Sequence, residues 1–507
     1  MSVSGSKSWQ SQAGFFGRIN YSWKDKVFVE AAGRYEGTSK FPDDLRWKFF
    51  PSASAAYRIS EENFFEPLKS VVTEAKIRAS YGSLGNQSVG SAMYIPTLSS
   101  GTNSNWVVNG IDLKYYGSPS LVRDDVTWET ITTLDLGLDL RFWKNKVGVT
   151  FDWFSKTTTD LFVPGAAQPS TFGGSAPQGN FGKMRTTGWE LSVDFNHRFS
   201  NGINFSATLG FSDNFTRMLE YTESGVKTIG SWYNGRVYGE IWAYVYDRLW
   251  QMTDFEPFTA LRGTQVDAID SGYVGWYYGK AYKLKDGYDI PSNGVEPGGA
   301  KYKDLDGDGQ ITGGLGTVED PGDRIKLNGT TLPRYEYSLR LNFDWKGIDL
   351  GLFFQGVGQR YAEGVGPLAV PIGEIGQGLV STSLAQVWTE ENPNAFFPRT
   401  TSMGRESAWA GSYKVSSRYL LDMSYLRLKT VTLGYTIPRN WTEKAGLNKV
   451  RVYFTGENLL TFDNLRFPVD PEMGTGSMMT SSTYNAGQIG TGTPIQQTIS
   501  FGLQLGL

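Results

Sequence analysis

FFGRINYSWKDKVFVEAAGRYE, Phe15 to Glu36, is the stretch whose reading decides the fold. Phe15, Ile19, Tyr21 and Trp23 occupy odd positions, and Arg18, Asn20 and Ser22 even ones. After a polar turn at Lys24–Asp25 the alternation resumes. Val27, Val29, Ala31 and Tyr35 then oppose Glu30, Ala32, Arg34 and Glu36. Successive side chains of a strand point to opposite faces, so the stretch reads as an antiparallel hairpin with one apolar and one strongly polar face. Two architectures suit such a hairpin. A soluble sandwich buries the apolar face against a second sheet, whereas a membrane barrel turns it to lipid and the polar face to a wet lumen.

Repetition decides for the barrel. Leu134, Leu136, Leu138, Leu140 and Phe142 alternate with Asp135, Gly137, Asp139 and Arg141. A turn at Lys144–Lys146 leads into Val147, Val149, Phe151 and Trp153. Two further hairpins follow: Trp189 to Phe199 turning into Ile203 to Phe211, and Tyr335 to Trp345 turning into Ile348 to Phe354. Aspartates and an arginine crowded on one strand face are hard to bury in a sandwich but natural against water. Asp135, Asp139, Asp152 and Asp194 therefore read as a solvated wall paired with Arg141 and Arg198. Trp23, Trp143, Phe199 and Trp345 each stand just before a turn, as an aromatic girdle at one membrane interface requires.

The connections alternate in length. Tight turns fall at one end, and long excursions near 86–125, 157–187, 216–333, 357–418 and 459–497 at the other. Short periplasmic turns with long extracellular loops are the habit of outer-membrane barrels. The segment Tyr238–Gln251 belongs inside the 216–333 excursion, since a spanning strand there would put the turn at Lys346 on the wrong side. SEENFFEPLKS (Ser60–Ser70) reads as a short helix capped by Ser60. Near Lys429–Thr430 the apolar register slips, which predicts a β-bulge. The count is about thirteen spanning strands, an odd number that cannot close antiparallel, so the expectation is a part of a larger barrel.

Composition agrees. The 507 residues carry a formal net charge of −3 with no basic stripe, which gives no nucleic-acid partner. Cysteine is absent, which excludes disulfides and thiolate chemistry. No apolar run approaches the roughly 18 residues of a membrane helix, and the amino-terminal MSVSGSKSWQ lacks the apolar core of a signal peptide.

Several stretches, in this order, resemble one family: RWKFFPSASAAYRISEENFF, KIRASYGSLGNQ, KYKDLDGDGQIT, LGLFFQGVG, YLLDMSYLRLKTVTLGYTIP and FTGENLLTF, together with the opening hairpin. The chain is similar over its whole length to SusC-like TonB-dependent outer-membrane transporters. The resemblance implies an all-β, antiparallel transmembrane β-barrel of about 22 strands, of which residues 1–507 form a partial barrel domain. It also implies an amino-terminal plug and TonB box, expected to be absent from this stretch, a SusD-like surface lipoprotein, and energy from TonB–ExbB–ExbD. The implied function is import of an oligomeric nutrient, a glycan or a peptide. The chain departs from the family at Leu507, where an aromatic is usual.

Chemistry is concentrated in the large excursion. Asp304, Asp306 and Asp308, with Gly309 and Gln310 following, have the spacing of a calcium loop, but Leu315 stands where the closing glutamate belongs. Family loops place an Asp-Arg pair near that point, so the resemblance makes Asp323, before Arg324, the candidate closing ligand of a loop over 304–324. The expected metal set is Asp304, Asp306, Asp308, Gln310 and Asp323, holding a structural Ca²⁺. Trp232, Tyr233, Trp276, Tyr277 and Tyr278 are candidates for contact with substrate or with the lid protein. His197 is the single histidine and sits on the apolar face, so no Ser/His/Asp arrangement can be assembled and a non-enzymatic role is expected. The competing reading is a surface β-rich protein that binds glycans through Ca²⁺.

Overall fold

The computed structural model describes residues 9–91, 93–166, 168–172, 174, 176–222, 226–258, 274–277, 280–288, 290–291, 295–363, 386–399, 414–466, 469–472 and 495–506. The chain divides into two compact bodies, the first built mainly from Met1–Arg198 and the second mainly from Gly239–Leu507. Eight long strands belong to the first: β1 (Gln12–Trp23), β2 (Val27–Thr38), β3 (Trp47–Arg58), β4 (Val72–Asn86), β5 (Glu129–Phe142), β6 (Val147–Val163), β7 (Gly179–Arg198) and β8 (Asn204–Glu220). The second holds β9 (Arg334–Trp345), β10 (Ile348–Gln359), β11 (Tyr425–Thr436), β12 (Lys449–Asp463) and β13 (Thr498–Gly506). Within each body, strands neighbour one another in chain order, thirteen long strands among the described residues, as expected.

The opening hairpin pairs Phe15 with Tyr35 and Tyr21 with Val29, which keeps the apolar residues on one face. Its turn puts Lys24 and Asp25 at φ 49° and 53°, and Lys346–Gly347 repeats the pattern at 47° and 90°. Two consecutive left-handed residues make the turn whose twist matches that of the flanking strands. The four girdle aromatics are exposed, Trp143 by 53%. The bulge is present: the adjacent residues Phe353 and Phe354 of β10 pair with Thr430 and Leu428, leaving Lys429 as the extra residue. Residues Glu240–Tyr244 and Tyr246–Leu249 pair in small separate sheets, within the excursion as expected.

Three local expectations need correction. Residues 59–68 form two 3₁₀ turns, Ile59–Glu61 and Asn63–Leu68, in place of a capped α-helix. Pro67 lies inside the second, and its missing N–H and fixed ring do not allow an α-helical interior there. Ser60 lies within the first turn and caps nothing. The connection over 86–125 contains a hairpin, Leu98–Val108 with Ile111–Pro119, turned at Asn109–Gly110. Finally, β6 and β7 run on to Val163 and from Gly179, so the excursion between them is shorter than 157–187. Thr157–Thr159 and Thr186–Thr187 carry these extensions, because β-branched threonine favours strands without any apolar alternation.

Burial is unlike that of a sandwich. The apolar face of the strands is open, with Phe15, Ile19, Phe501 and Leu503 each more than 60% exposed. The largest fully buried side chains, Trp128, Trp250, Trp388, Phe41 and Phe397, lie in or beside the excursions. The core therefore sits in the connections at one end of the strands.

The polar face is braced by ion pairs. Arg78 on β4 reaches Asp139 on β5 at 2.9 Å and Asp152 on β6 at 2.8 Å. Arg141 on β5 reaches Asp194 on β7 at 2.7 Å. These partners differ from the sequence reading, in which Arg198 shared the work; Arg198 is exposed and joins none of these pairs. In the second body Arg451 on β12 holds Asp349 on β10.

Candidate functional site

The excursions of the second body are built as a layer of short paired segments. Glu240–Tyr244 pairs with Arg324–Thr330, and Tyr246–Leu249 with Ala300–Tyr302. Tyr361–Glu363 pairs with Leu420–Asp422. One buried cluster joins Tyr244, Leu249, Ala300, Tyr302, Ile311, Trp388 and Ala395. A second joins Ala362, Val387, Phe397, Tyr419, Leu421, Met423 and Val469. Burial pushes the Tyr302 hydroxyl far above its ordinary range.

Charged anchors fix this layer. Asp254 is buried and accepts hydrogen bonds from Arg248 (2.9 Å), the Gln251 backbone N–H (2.8 Å) and the Tyr288 hydroxyl (2.8 Å). Burial alone would raise its pKa, but those three donors hold it below the ordinary carboxylate range. Arg427, itself buried, reaches Asp470 at 2.8 Å and Glu472 at 2.9 Å, and Lys429 also reaches Glu472. Residues forty apart leave no periodic or motif signal, so sequence reasoning missed this clamp.

The acidic loop rises from Tyr302. The Asp304 carboxylate accepts the Gly307 N–H at 2.6 Å and the Gly309 N–H at 2.9 Å. Those two amides hold its pKa below the usual value. Gly307 and Gly309 both adopt φ +79°, which a side chain would oppose. Asp306 accepts from the Asp308 amide, which alone would lower its pKa; burial and the charges of Asp308, Asp323 and Asp304 outweigh that and raise it. Asp323 is fully buried, and its two oxygens accept the Leu305 N–H at 2.7 Å and the Thr312 N–H at 2.6 Å. Carboxylate oxygens of Asp304, Asp306 and Asp323 lie within 4.8 Å of one another. Asp308 is outside this trio and accepts the Gln310 N–H at 2.7 Å. Gln310 lies on the short strand Gln310–Ile311, beside Ile290–Pro291. Leu315 is 80% exposed and takes no part.

The aromatic candidates are placed differently from one another. Trp232 is half-buried, 5.4 Å from the Tyr238 ring. Tyr233 is buried, with the Arg236 guanidinium 5.8 Å from its ring. Trp276 and Tyr277 lie on the strand Val274–Tyr277, paired with Lys280–Leu284, and Tyr278 falls outside the described residues. His197 is half-buried beside Phe195, 6.2 Å between rings.

Known proteins resemble the chain along nearly all of it. The family described as TonB dependent receptor-like, beta-barrel, matches residues 4–459. TonB-dependent receptor P26 of Formosa agariphila is 30% identical, covering 97% of this chain and 46% of that protein. TonB-dependent receptor SusC of Bacteroides thetaiotaomicron is 28% identical over 36% of this chain and 18% of its own length. Among solved structures, that of the RagAB peptide transporter shares the fold with a TM-score of 0.68 at 18% identity, over 98% of this chain and 48% of that one. The chain thus spans less than half the length of the relatives it matches. A family match over 4–459, joined to thirteen long antiparallel strands among the described residues with an open apolar face, makes this chain a member of the TonB-dependent receptor-like β-barrel family, in the outer membrane.

Proposed function

We propose that this chain forms barrel wall and extracellular loops of a SusC-type transporter that imports an oligomeric nutrient, a glycan or a peptide. The observation that carries the reading is the built layer of excursions, with its own buried clusters, at the end of the strands away from the tight turns. Such a layer suits a docking rim for a SusD-like lipoprotein lid. Energy would come through TonB–ExbB–ExbD, and the role is transport, with no catalysis. RagAB is named a peptide transporter, which supports including peptides beside glycans as cargo. Uptake of labelled oligosaccharide and oligopeptide mixtures, in cells with and without the receptor gene, tests this directly. One class should enter only when both receptor and TonB are present; uptake unchanged by loss of the receptor removes the reading.

The loop over 304–324 we assign to a structural Ca²⁺, with Asp304, Asp306 and Asp323 as ligands and Asp308 and Gln310 shaping the turn. Support comes from three carboxylates gathered within 4.8 Å, a crowd of like charge that a hard divalent cation relieves. Asp306→Asn with Asp308→Asn should abolish calcium-dependent heat in calorimetry of the full-length receptor. Absence of that heat in the wild type, with protease sensitivity of 300–330 unaltered by chelator, leaves the loop an ordinary turn.

A further inference from the structure

Two rows of outward residues run side by side across β2–β6. One is Val27–Tyr57–Ile77–Leu138–Phe151, and the next is Val29–Ala55–Ala79–Leu136–Trp153. Ala55 and Ala79 are neighbours, and Ala31 pairs with Ala53 in the row beyond. Small side chains surrounded by large ones leave a dent. Val27, Ala55, Ala79, Leu138, Phe151 and Trp153 line an open groove of about 730 Å³. Its lining residues lie no deeper than the midpoint of their strands, counted from the tight-turn end. Tight turns are periplasmic in this family, so the groove opens in the periplasmic leaflet.

The turn end supplies a charge. Trp143 N–H donates to the Val71 carbonyl at 2.8 Å, and Lys144 N–H to Thr73 Oγ1 at 2.9 Å. Lys144 is thereby fixed over the start of β4, below Ile77 and Ala79. It is exposed and, among the described residues, makes no ion pair. Nearby cations are engaged elsewhere: Lys26 pairs with Glu62, Arg58 with Glu74 and Lys69 with Glu66, and Lys24 lies over the Trp23 ring at 4.9 Å, while Lys146, two residues on from Lys144, is exposed as well.

We propose that this groove seats one phospholipid of the periplasmic leaflet, with an acyl chain over the Ala55–Ala79 floor and its phosphate at Lys144. A chain lying in a dent touches the wall on three sides and gains dispersion contacts that a flat wall does not offer. An unpaired lysine on the turn below the groove favours a phosphate over any purely apolar occupant, including the wall of a second copy.

The test uses the full-length receptor, extracted in mild detergent and exposed to micelles carrying dioleoyl phosphatidylglycerol, with bound lipid counted by native mass spectrometry. The wild type should retain one phospholipid more than Ala79→Phe, in which a ring fills the dent. Displacing two methylenes from contact, at about 0.8 kcal/mol each, corresponds to at least tenfold weaker retention. Lys144→Gln should retain it about fivefold less, the worth of one lysine near a lipid surface. Leu433→Phe, outward on β11, should behave as wild type. Unaltered heat-modifiable migration on gels shows that each variant has its barrel. Equal retention by wild type and Ala79→Phe, or by wild type and Lys144→Gln, overturns the proposal. Loss of a homodimer in Ala79→Phe with no change in bound lipid overturns it too, in favour of a second copy.

Discussion

Asp254 shows what a single carboxylate does for the loop layer. Its folded pKa is depressed below the 3.8 of a free aspartate, so the stability it contributes is fully present at neutral pH. That contribution is lost as pH falls through the depressed value, in the window below about 4. Hydrogen exchange over residues 247–258 and 295–302 should therefore stay slow from pH 7 down to about 5 and quicken under stronger acid. Asp254→Asn should remove that acid response. It should also loosen the same residues at neutral pH by about 2 kcal/mol, a value reduced from that of a fully buried pair because Arg248 is a third exposed. An unchanged acid profile in the variant would show that other groups govern the layer. Residue types explain why this anchor escaped the sequence reading: an arginine and an aspartate six positions apart are commonplace, and only the fold buries them together. Asp323 entered the sequence reading through the resemblance alone, because family loops place an Asp-Arg pair near that point. What the sequence did not disclose is that the Asp323 carboxylate already closes the loop through two backbone amides.

At the scale of strands, glycine is placed where charge must cross. Gly137 lies between Arg78 and Asp152 in one register row, and Gly148 between Arg141 and Asp194 in another. A Cβ on Gly137 would come 2.5 Å from the Arg78 guanidinium carbon. One on Gly148 would come 2.0 Å from the Arg141 guanidinium and 2.2 Å from the Asp194 carboxylate. Gly434 stands under the Arg451–Asp349 pair in the same way. Each glycine lets an arginine lie across its strand to a partner one strand further. Gly148→Val should break the Arg141–Asp194 pair and lower the temperature of heat-modifiable unfolding by several degrees. Gly17→Ala, with nothing within 4 Å of its added carbon, should leave it unaltered. Equal midpoints for the two variants would deny the glycines this role. The strands themselves were legible because alternation with period two survives any packing arrangement. The helix expected at 60–70 failed through Pro67, and the hairpin at 98–119 went unseen although Asn109–Gly110 is its proper turn. Its flanks, LSSGTNSNWVV and IDLKYYGSP, alternate too weakly to announce strands.

For the whole chain, the two faces make opposite demands. Leu136 is exposed on the apolar face, and Leu136→Arg should impair assembly, an arginine near the bilayer midplane of a barrel costing roughly 2–4 kcal/mol. Asp139→Asn, on the polar face, should cost about 1 kcal/mol, since Arg78 keeps Asp152 as a partner. Folded receptor in isolated outer membranes, measured by heat-modifiable mobility, compares the two; equal losses would contradict the assignment of faces. The polar face has a further consequence for the water beside it. Arg18 is matched by Glu30, Arg34 by Glu36, Arg78 by Asp139 and Asp152, Arg141 by Asp194, and Arg451 by Asp349. Opposite charges a few ångströms apart cancel beyond the Debye length of about 8 Å at physiological ionic strength. A face whose charges are matched in this way exerts little long-range pull on an ion or zwitterion in the water beside it, and what it discriminates it discriminates by fit and hydration.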